Sequence, residues 1–154
     1  MPIKFNIATI LPYKENYTVD GAQAAAIWVA DFYKYSTFKK TNSIYGNTIK
    51  KNYLTKNYTN INITGLNKIL SSSTNEYCKN FIKKIDGKNF DLIEIHNRPH
   101  VFNYLKNKII SKYILYIHND PLSMSGSKTI KERLNLLNTV DKIIFVSKWV
   151  QLRF

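Results

Sequence analysis

The feature that most constrains this chain is a repeated alternation of a short apolar run, a polar break, and a segment whose apolar residues recur every three or four positions. It is sharpest after residue 90, where "DLIEI" (91–95), "KYILYI" (112–117) and "DKIIFV" (141–146) are each followed by a helical pattern. Near-continuous apolar strands belong to sheets covered on both faces, and helical connections make neighbouring strands parallel. A parallel sheet between helices is therefore expected. At 154 residues the chain suffices for one such core and is short for two.

The remaining elements follow the same logic. Ile3 to Leu11 reads as a strand that stops at Pro12, which has no N–H to donate. Gly21 to Tyr35 is apolar nearly all round at helical length, with Asp20 and Gln23 at capping-box spacing. Asn42 to Gly46 and Asn60 to Thr64 read as short strands. Ser73 and Glu76 form a second box spacing, and Tyr77, Cys78, Phe81, Ile82 and Ile85 then share one helical face, which makes Cys78 a packing residue. Pro99 to Ile109 is a helix opened by its proline. Thr129 to Asn138 is another, with Thr129 and Glu132 at box spacing and Ile130, Leu134 and Leu137 on one face; Ser147 is placed to cap a last helix from Lys148. The order defines the expected fold class: α/β, a Rossmann-like doubly wound parallel sheet.

Composition narrows function mainly by exclusion. The formal charge of +13 suggests a polyanion partner, yet only Arg98, Arg133 and Arg153 are arginines, and nucleic-acid readers favour the arginine fork. Lys, Asn, Ile and Tyr also share A/T-rich codons, so genome composition accounts for much of the excess. Tyr13, Tyr17, Tyr33 and Tyr35 could stack on bases but have no basic stripe among them. No nucleic-acid partner is expected. Cys78 is the single cysteine and can make no internal disulfide, which fits a reducing compartment. No apolar run approaches the roughly 20 residues that span a bilayer, and Lys4 and Asn6 interrupt Met1 to Leu11. A cytoplasmic location is expected. No P-loop, nucleophile elbow or G-x-G-x-x-G after the first strand is present, and no carboxylate cluster suggests a metal.

Open parallel sheets bind ligands outside the carboxyl ends of their strands. Polar residues concentrate there: Asp20-Gly21 after the first strand, His96-Asn97-Arg98 after "DLIEI", His118-Asn119-Asp120 after "KYILYI", and Ser147 after "DKIIFV". Each has a plain structural alternative. Asp20, Gln23 and Ser147 are also good caps, a strand-end histidine is often only hydrogen-bonded, Pro99 and Pro121 can simply stop strands, and His100 falls inside a helix. Two His-Asn pairs delivered to one sheet edge nevertheless point to one cleft.

The stretches "ILPYKENYTVDGAQAAAIWVADFYKYS", "DLIEIHNRPHVF" and "YILYIHNDPLSMSGSKTIKERLNLLNTVDKIIFVSKWVQLRF" resemble the amino-terminal domain of bacterial GT-B glycosyltransferases of family 4, of the kind that builds lipopolysaccharide or other surface glycans. The resemblance covers nearly the whole chain and is weakest from Thr37 to Asn60. It implies that residues 1–154 form the acceptor-side domain of an enzyme that moves a sugar, with retention, from a nucleotide-sugar donor to a glycan or lipid-linked acceptor. The nucleotide-binding carboxy-terminal domain would lie outside this chain, which alone should be inactive.

By the same resemblance, Asp20, Gly21 and Ala22 would approach the donor diphosphate, with Asn119 also on the donor side. His118 would orient the transferred sugar and support developing positive charge through its backbone carbonyl. His96, Asn97 and Arg98 would border the acceptor, and Ser147 would contact it or cap its helix. The family loop often has two adjacent glycines where this chain has only Gly21. No metal or other cofactor is implied. Lys39, Lys40, Lys50, Lys51 and Lys56 are expected either to be plainly solvated or to meet anionic lipid at the inner membrane face. The competing class is a non-enzymatic Rossmann-like module that binds an anion or a partner in the same cleft.

Overall fold

The computed structural model describes residues 5–63 and 72–154. Six strands, β1 (Ile7–Ile10), β2 (Asn42–Gly46), β3 (Tyr58–Asn60), β4 (Leu92–His96), β5 (Lys112–Ile117) and β6 (Lys142–Phe145), form one sheet in the order β3-β2-β1-β4-β5-β6. Every pairing is parallel. Helices α1 (Ala24–Tyr35), α2 (Ser73–Lys84), α3 (Pro99–Leu105), α4 (Ile130–Thr139) and α5 (Lys148–Arg153) accompany it. The fold is α/β with a Rossmann-like, doubly wound sheet.

The two faces of the sheet are chemically different. One sends Ala8, Ile10, Ile93, Ile95, Leu115 and Ile117 into a large apolar core closed by Tyr77 and Phe81 of α2 and by Phe102 and Leu105 of α3. Burial of each isoleucine, leucine or phenylalanine among them contributes roughly 1.5–3 kcal/mol. Tyr77 also donates its hydroxyl hydrogen to the carbonyl of Leu11 at 2.9 Å, tying α2 to the carboxyl end of β1. The opposite face carries α1 through Ala26 and Val29, packed with Leu11, Tyr17, Ile44 and Tyr58. Between those apolar contacts it also buries Thr9, Asn42 and Glu94.

Several local expectations shift. β1 is confined to Ile7–Ile10, while Ile3 and Lys4 lie outside the described residues. β3 is Tyr58–Asn60 instead of Asn60 to Thr64, because Tyr58 pairs with Ile44 and stacks on Tyr17 at 4.8 Å; Thr64 is outside the described residues. The cap of α2 is Ser72, whose Oγ accepts from the Asn75 amide, so the Ser73–Glu76 box does not form and Glu76 instead meets Lys79 at 2.7 Å. α3 stops at Leu105, before the expected Ile109. The Thr129–Glu132 box at α4 forms in both directions, yet the expected apolar face is turned outward: Ile130, Leu134 and Leu137 are 70%, 53% and 58% exposed. Leu136 alone of α4 is fully buried, so the helix is anchored by the opposite side from the one its spacing suggested. Among the described residues no helix is long and apolar enough to cross a membrane.

Candidate functional site

The strand order reverses direction between β1 and β4, so loops leaving the carboxyl ends of these neighbours diverge and open a crevice. Into it run the loop after β1, the His96-Asn97-Arg98 turn after β4, the His118-Asn119 turn after β5, and the amino end of α2.

His96 is the last residue of β4 and pairs in register with Tyr116, which brings the two rings into a stack 4.5 Å apart at 2°. Its Nδ1 lies 2.9 Å from Nε2 of His118. Trp28 of α1 covers the group, with ring centroids 5.4 Å from His96, 5.1 Å from Tyr116 and 5.7 Å from His118. His96 is buried and its Nε2 has no hydrogen-bond partner. An orphaned N–H is costlier than an orphaned lone pair, so we assign the shared proton to His96 Nδ1, donating to His118 Nε2. His118 then carries its own proton on Nδ1. Burial holds His96 well below the ordinary histidine range, with the neighbouring His118 charge adding to the effect, and burial lowers His118 as well. Both rings are neutral at neutral pH.

The two His-Asn pairs are not equivalent. Asn97 adopts φ 55°, a left-handed conformation that asparagine tolerates better than most residues. Its Oδ1 accepts from the amides of both His118 (2.9 Å) and Asn119 (3.1 Å), and its own amide donates to Tyr116 (2.8 Å). One buried side chain thus fastens the β5 turn to the β4 turn. Asn119, by contrast, is exposed and faces the cleft. His96 and Asn97 are turned inward, where they hold His118 in place.

Beneath the histidines, Thr9 donates to Glu94 at 2.7 Å, and the Tyr116 hydroxyl reaches the other carboxylate oxygen at 3.3 Å. Burial raises the Glu94 pKa, and these two hydrogen bonds offset part of that shift. Sequence reading passed over Glu94, although a lone carboxylate inside the apolar run "DLIEI" is a visible signal. Trp28 and Tyr116 were also missed, because each reads as ordinary packing until the tertiary contacts are known.

The amino end of α1 departs most from expectation. Asp20 is exposed and does not cap the helix; the N-cap position is Gln23, which makes no side-chain cap bond. Glu15 fills the role instead: its Oε1 accepts from the Ala26 amide at 3.1 Å, and the Ala25 amide also bonds this carboxylate. Burial raises the Glu15 pKa, while those amides and the nearby charge of Arg98 pull it back. Gln23 accepts from the Asn16 amide at 3.3 Å, and the Asn16 side chain donates to the Gly21 carbonyl at 2.9 Å. A side chain on Gly21 would come within 3.0 Å of Asn16, so the glycine serves this loop's own packing.

Behind Arg98 and Asn119 lies a cleft of about 540 Å³ whose walls also include Tyr13, Ser72, Thr74 and Ser125. Gly126, at φ 91°, lets the loop after β5 close on α3: a β-carbon there would meet the His100 amide nitrogen at 2.9 Å. Ser147 caps α5 by accepting from the Val150 amide at 3.2 Å, and Asp120 pairs with Arg153 of α5 at 2.9 Å. Among the described residues no group of three or more His, Cys, Asp or Glu could hold a metal ion. No protein-family model matches this chain, and no curated protein sequence matches it.

Proposed function

We propose that this chain is the acceptor-side domain of a GT-B glycosyltransferase resembling family 4, moving a sugar from a nucleotide-sugar donor to a glycan or lipid-linked acceptor with retention. The observation that carries this reading is the clamp of Asn97 on the His118 and Asn119 amides, which presents both residues at the switch point beside an open cleft. His118 is a neutral ring whose Nδ1–H is available to a sugar hydroxyl, while His96 and Trp28 hold its orientation. In this reading the His118 backbone carbonyl faces positive charge developing on the transferred sugar, and the side chain orients without acting as a base. Arg98 addresses the acceptor, and Asn119 the donor side.

The donor diphosphate would approach the loop of Asp20, Gly21 and Ala22. Glu15 already holds the Ala25 and Ala26 amides, so a diphosphate must either stay outside that carboxylate or displace it. The nucleotide itself belongs to a companion domain outside these residues. Lys39, Lys40, Lys50, Lys51 and Lys56 are all exposed, as both a plainly solvated surface and a contact with anionic lipid require.

The occupied end of α1 favours a second reading, a non-enzymatic anion-binding module that uses the cleft alone. One experiment separates the two: assay the complete reading frame with nucleotide-sugars, beside its His118→Ala variant. The transferase reading expects turnover that falls roughly 100-fold or more in the variant, the scale for losing one hydrogen-bond donor at a reacting centre. Absence of turnover, or full activity in His118→Ala, would sink it and leave the binding module.

A further inference from the structure

Among the described residues Arg98 makes no short ion pair. The residue is partly buried, and its guanidinium donates to the adjacent Asn97 carbonyl at 3.0 Å. Residues 1–4 and 64–71 contain no Asp or Glu that could pair with it. Glu15 is close enough to feel its charge but is committed to the α1 amides. With Glu15 bound to α1 and no carboxylate within ion-pair distance among the described residues, the Arg98 donors at the cleft are left for an anionic ligand to satisfy.

The rest of the wall has matching chemistry. Ser72, Thr74 and Ser125 bring hydroxyl donors, Tyr13 a phenol and Asn119 an amide, and among the described residues no carboxylate lines the cleft. The cleft also receives the amino end of α2, a helix of 12 residues whose dipole favours negative charge. A volume of about 540 Å³ is within the range of small-molecule sites. A neutral sugar would satisfy the hydroxyls and leave the guanidinium unbalanced.

We propose that this cleft binds a small ligand carrying an oxyanion, a phosphate monoester or a sugar carboxylate, with Arg98 as its counter-charge and the hydroxyls of Ser72, Thr74 and Ser125 around it. The inference deepens the transferase reading and rests on it only in calling that ligand the acceptor. Binding itself requires no donor and no second domain, so either statement can fail without the other.

The test is titration of the 154-residue chain, followed by amide chemical shifts, with glucose 6-phosphate, glucuronate and glucose. Salt near about 0.15 M keeps exposed lysines screened. The expected result is saturable binding of at least one of the two anions, with shifts at residues 72–74, 98, 119 and 123–125, and no comparable response to glucose. Phosphate and carboxylate arms identify the preferred oxyanion. Arg98→Gln should raise the dissociation constant ~10-fold or more, the scale for a lost charge-assisted hydrogen bond. Ser125→Asp, at an exposed position where folding is not at stake, should do the same by placing a like charge in the cleft. Equal binding in both variants, an equal response to glucose, shifts gathered on Lys39 to Lys56, or no binding of either anion would each overturn the proposal.

Discussion

His96 and His118 are joined by one hydrogen bond of 2.9 Å from Nδ1 to Nε2, and the inner ring is buried while the outer one reaches the surface. A pair in this arrangement shares one bridging proton and resists a second charge. The β4–β5 register places one ring beside the other, and Asn97 sets the angle at which the second arrives.

Acid sensitivity follows from this pair. Both folded-state pKa values lie below the ordinary 6.5, so the unfolded chain takes up protons that the folded chain refuses. The stabilising difference is complete above pH 6.5 and is lost as pH falls below it, by up to about 1.4 kcal/mol per pH unit for each histidine. Urea midpoints measured from pH 7.5 to 5 should fall, and His96→Gln should flatten the slope. The lowered carboxylates of Asp120, Glu132 and Asp141 act only in more acidic solution, since their ordinary values are 3.8 to 4.5. Glu15 and Glu94, raised by burial, favour the folded chain as pH falls and oppose the histidines, so the difference between parent and His96→Gln is the measure. An unchanged slope in His96→Gln would place the sensitivity elsewhere.

Asn97→Ala removes the acceptor of two backbone amides and leaves a β-carbon in a left-handed conformation. A loss of about 2–3 kcal/mol is expected in urea unfolding at constant m value. Asn97→Asp keeps the accepting oxygen and should recover most of it, whereas Asn97→Gly relieves only the backbone term. If alanine and aspartate prove equal, the clamp contributes nothing.

Glu15→Ala should destabilise the start of α1 by ~0.5–2 kcal/mol, the range for a lost cap. Hydrogen exchange should quicken at the Ala25 and Ala26 amides in particular. Asp20→Ala, by contrast, should stay within about 0.5 kcal/mol of the parent, as surface substitutions usually do. The reverse ranking would restore Asp20 as the cap.

Cys78 should be inert in the folded chain. Its side chain is buried in the main core, and burial pushes the thiol up to about 12, where almost no thiolate exists at neutral pH. A thiol-specific reagent should therefore label it only at the rate of unfolding. Rapid labelling under native conditions would contradict the packing role.

Much of the architecture was legible because its causes are local. The runs after residue 90, the proline-opened α3, the Thr129–Glu132 box and the packing role of Cys78 all appear as expected. The edge at which the polar residues gather was legible as well, since parallel strands deliver their carboxyl ends to one side, whereas the reversal between β1 and β4 came only with the strand order. Where the reading slipped, a distant residue had displaced a nearby one. Asp20 has the better local position to cap α1, yet Glu15, 11 residues before Ala26, holds the amide because the loop after β1 folds back over the helix end. The outward turn of Ile130, Leu134 and Leu137 is of the same kind: a period of three and four residues defines a stripe but not the direction it faces.

By itself the sequence determined the order of strands and helices, the parallel sheet and the edge at which polar residues gather, because periodicity and proline act through neighbouring backbone sterics. Tertiary structure alone decided which histidine is buried, which asparagine is a clamp and which carboxylate occupies α1. Those outcomes depend on strand register and chain path, which bring together residues such as His96 and His118 that are 22 positions apart.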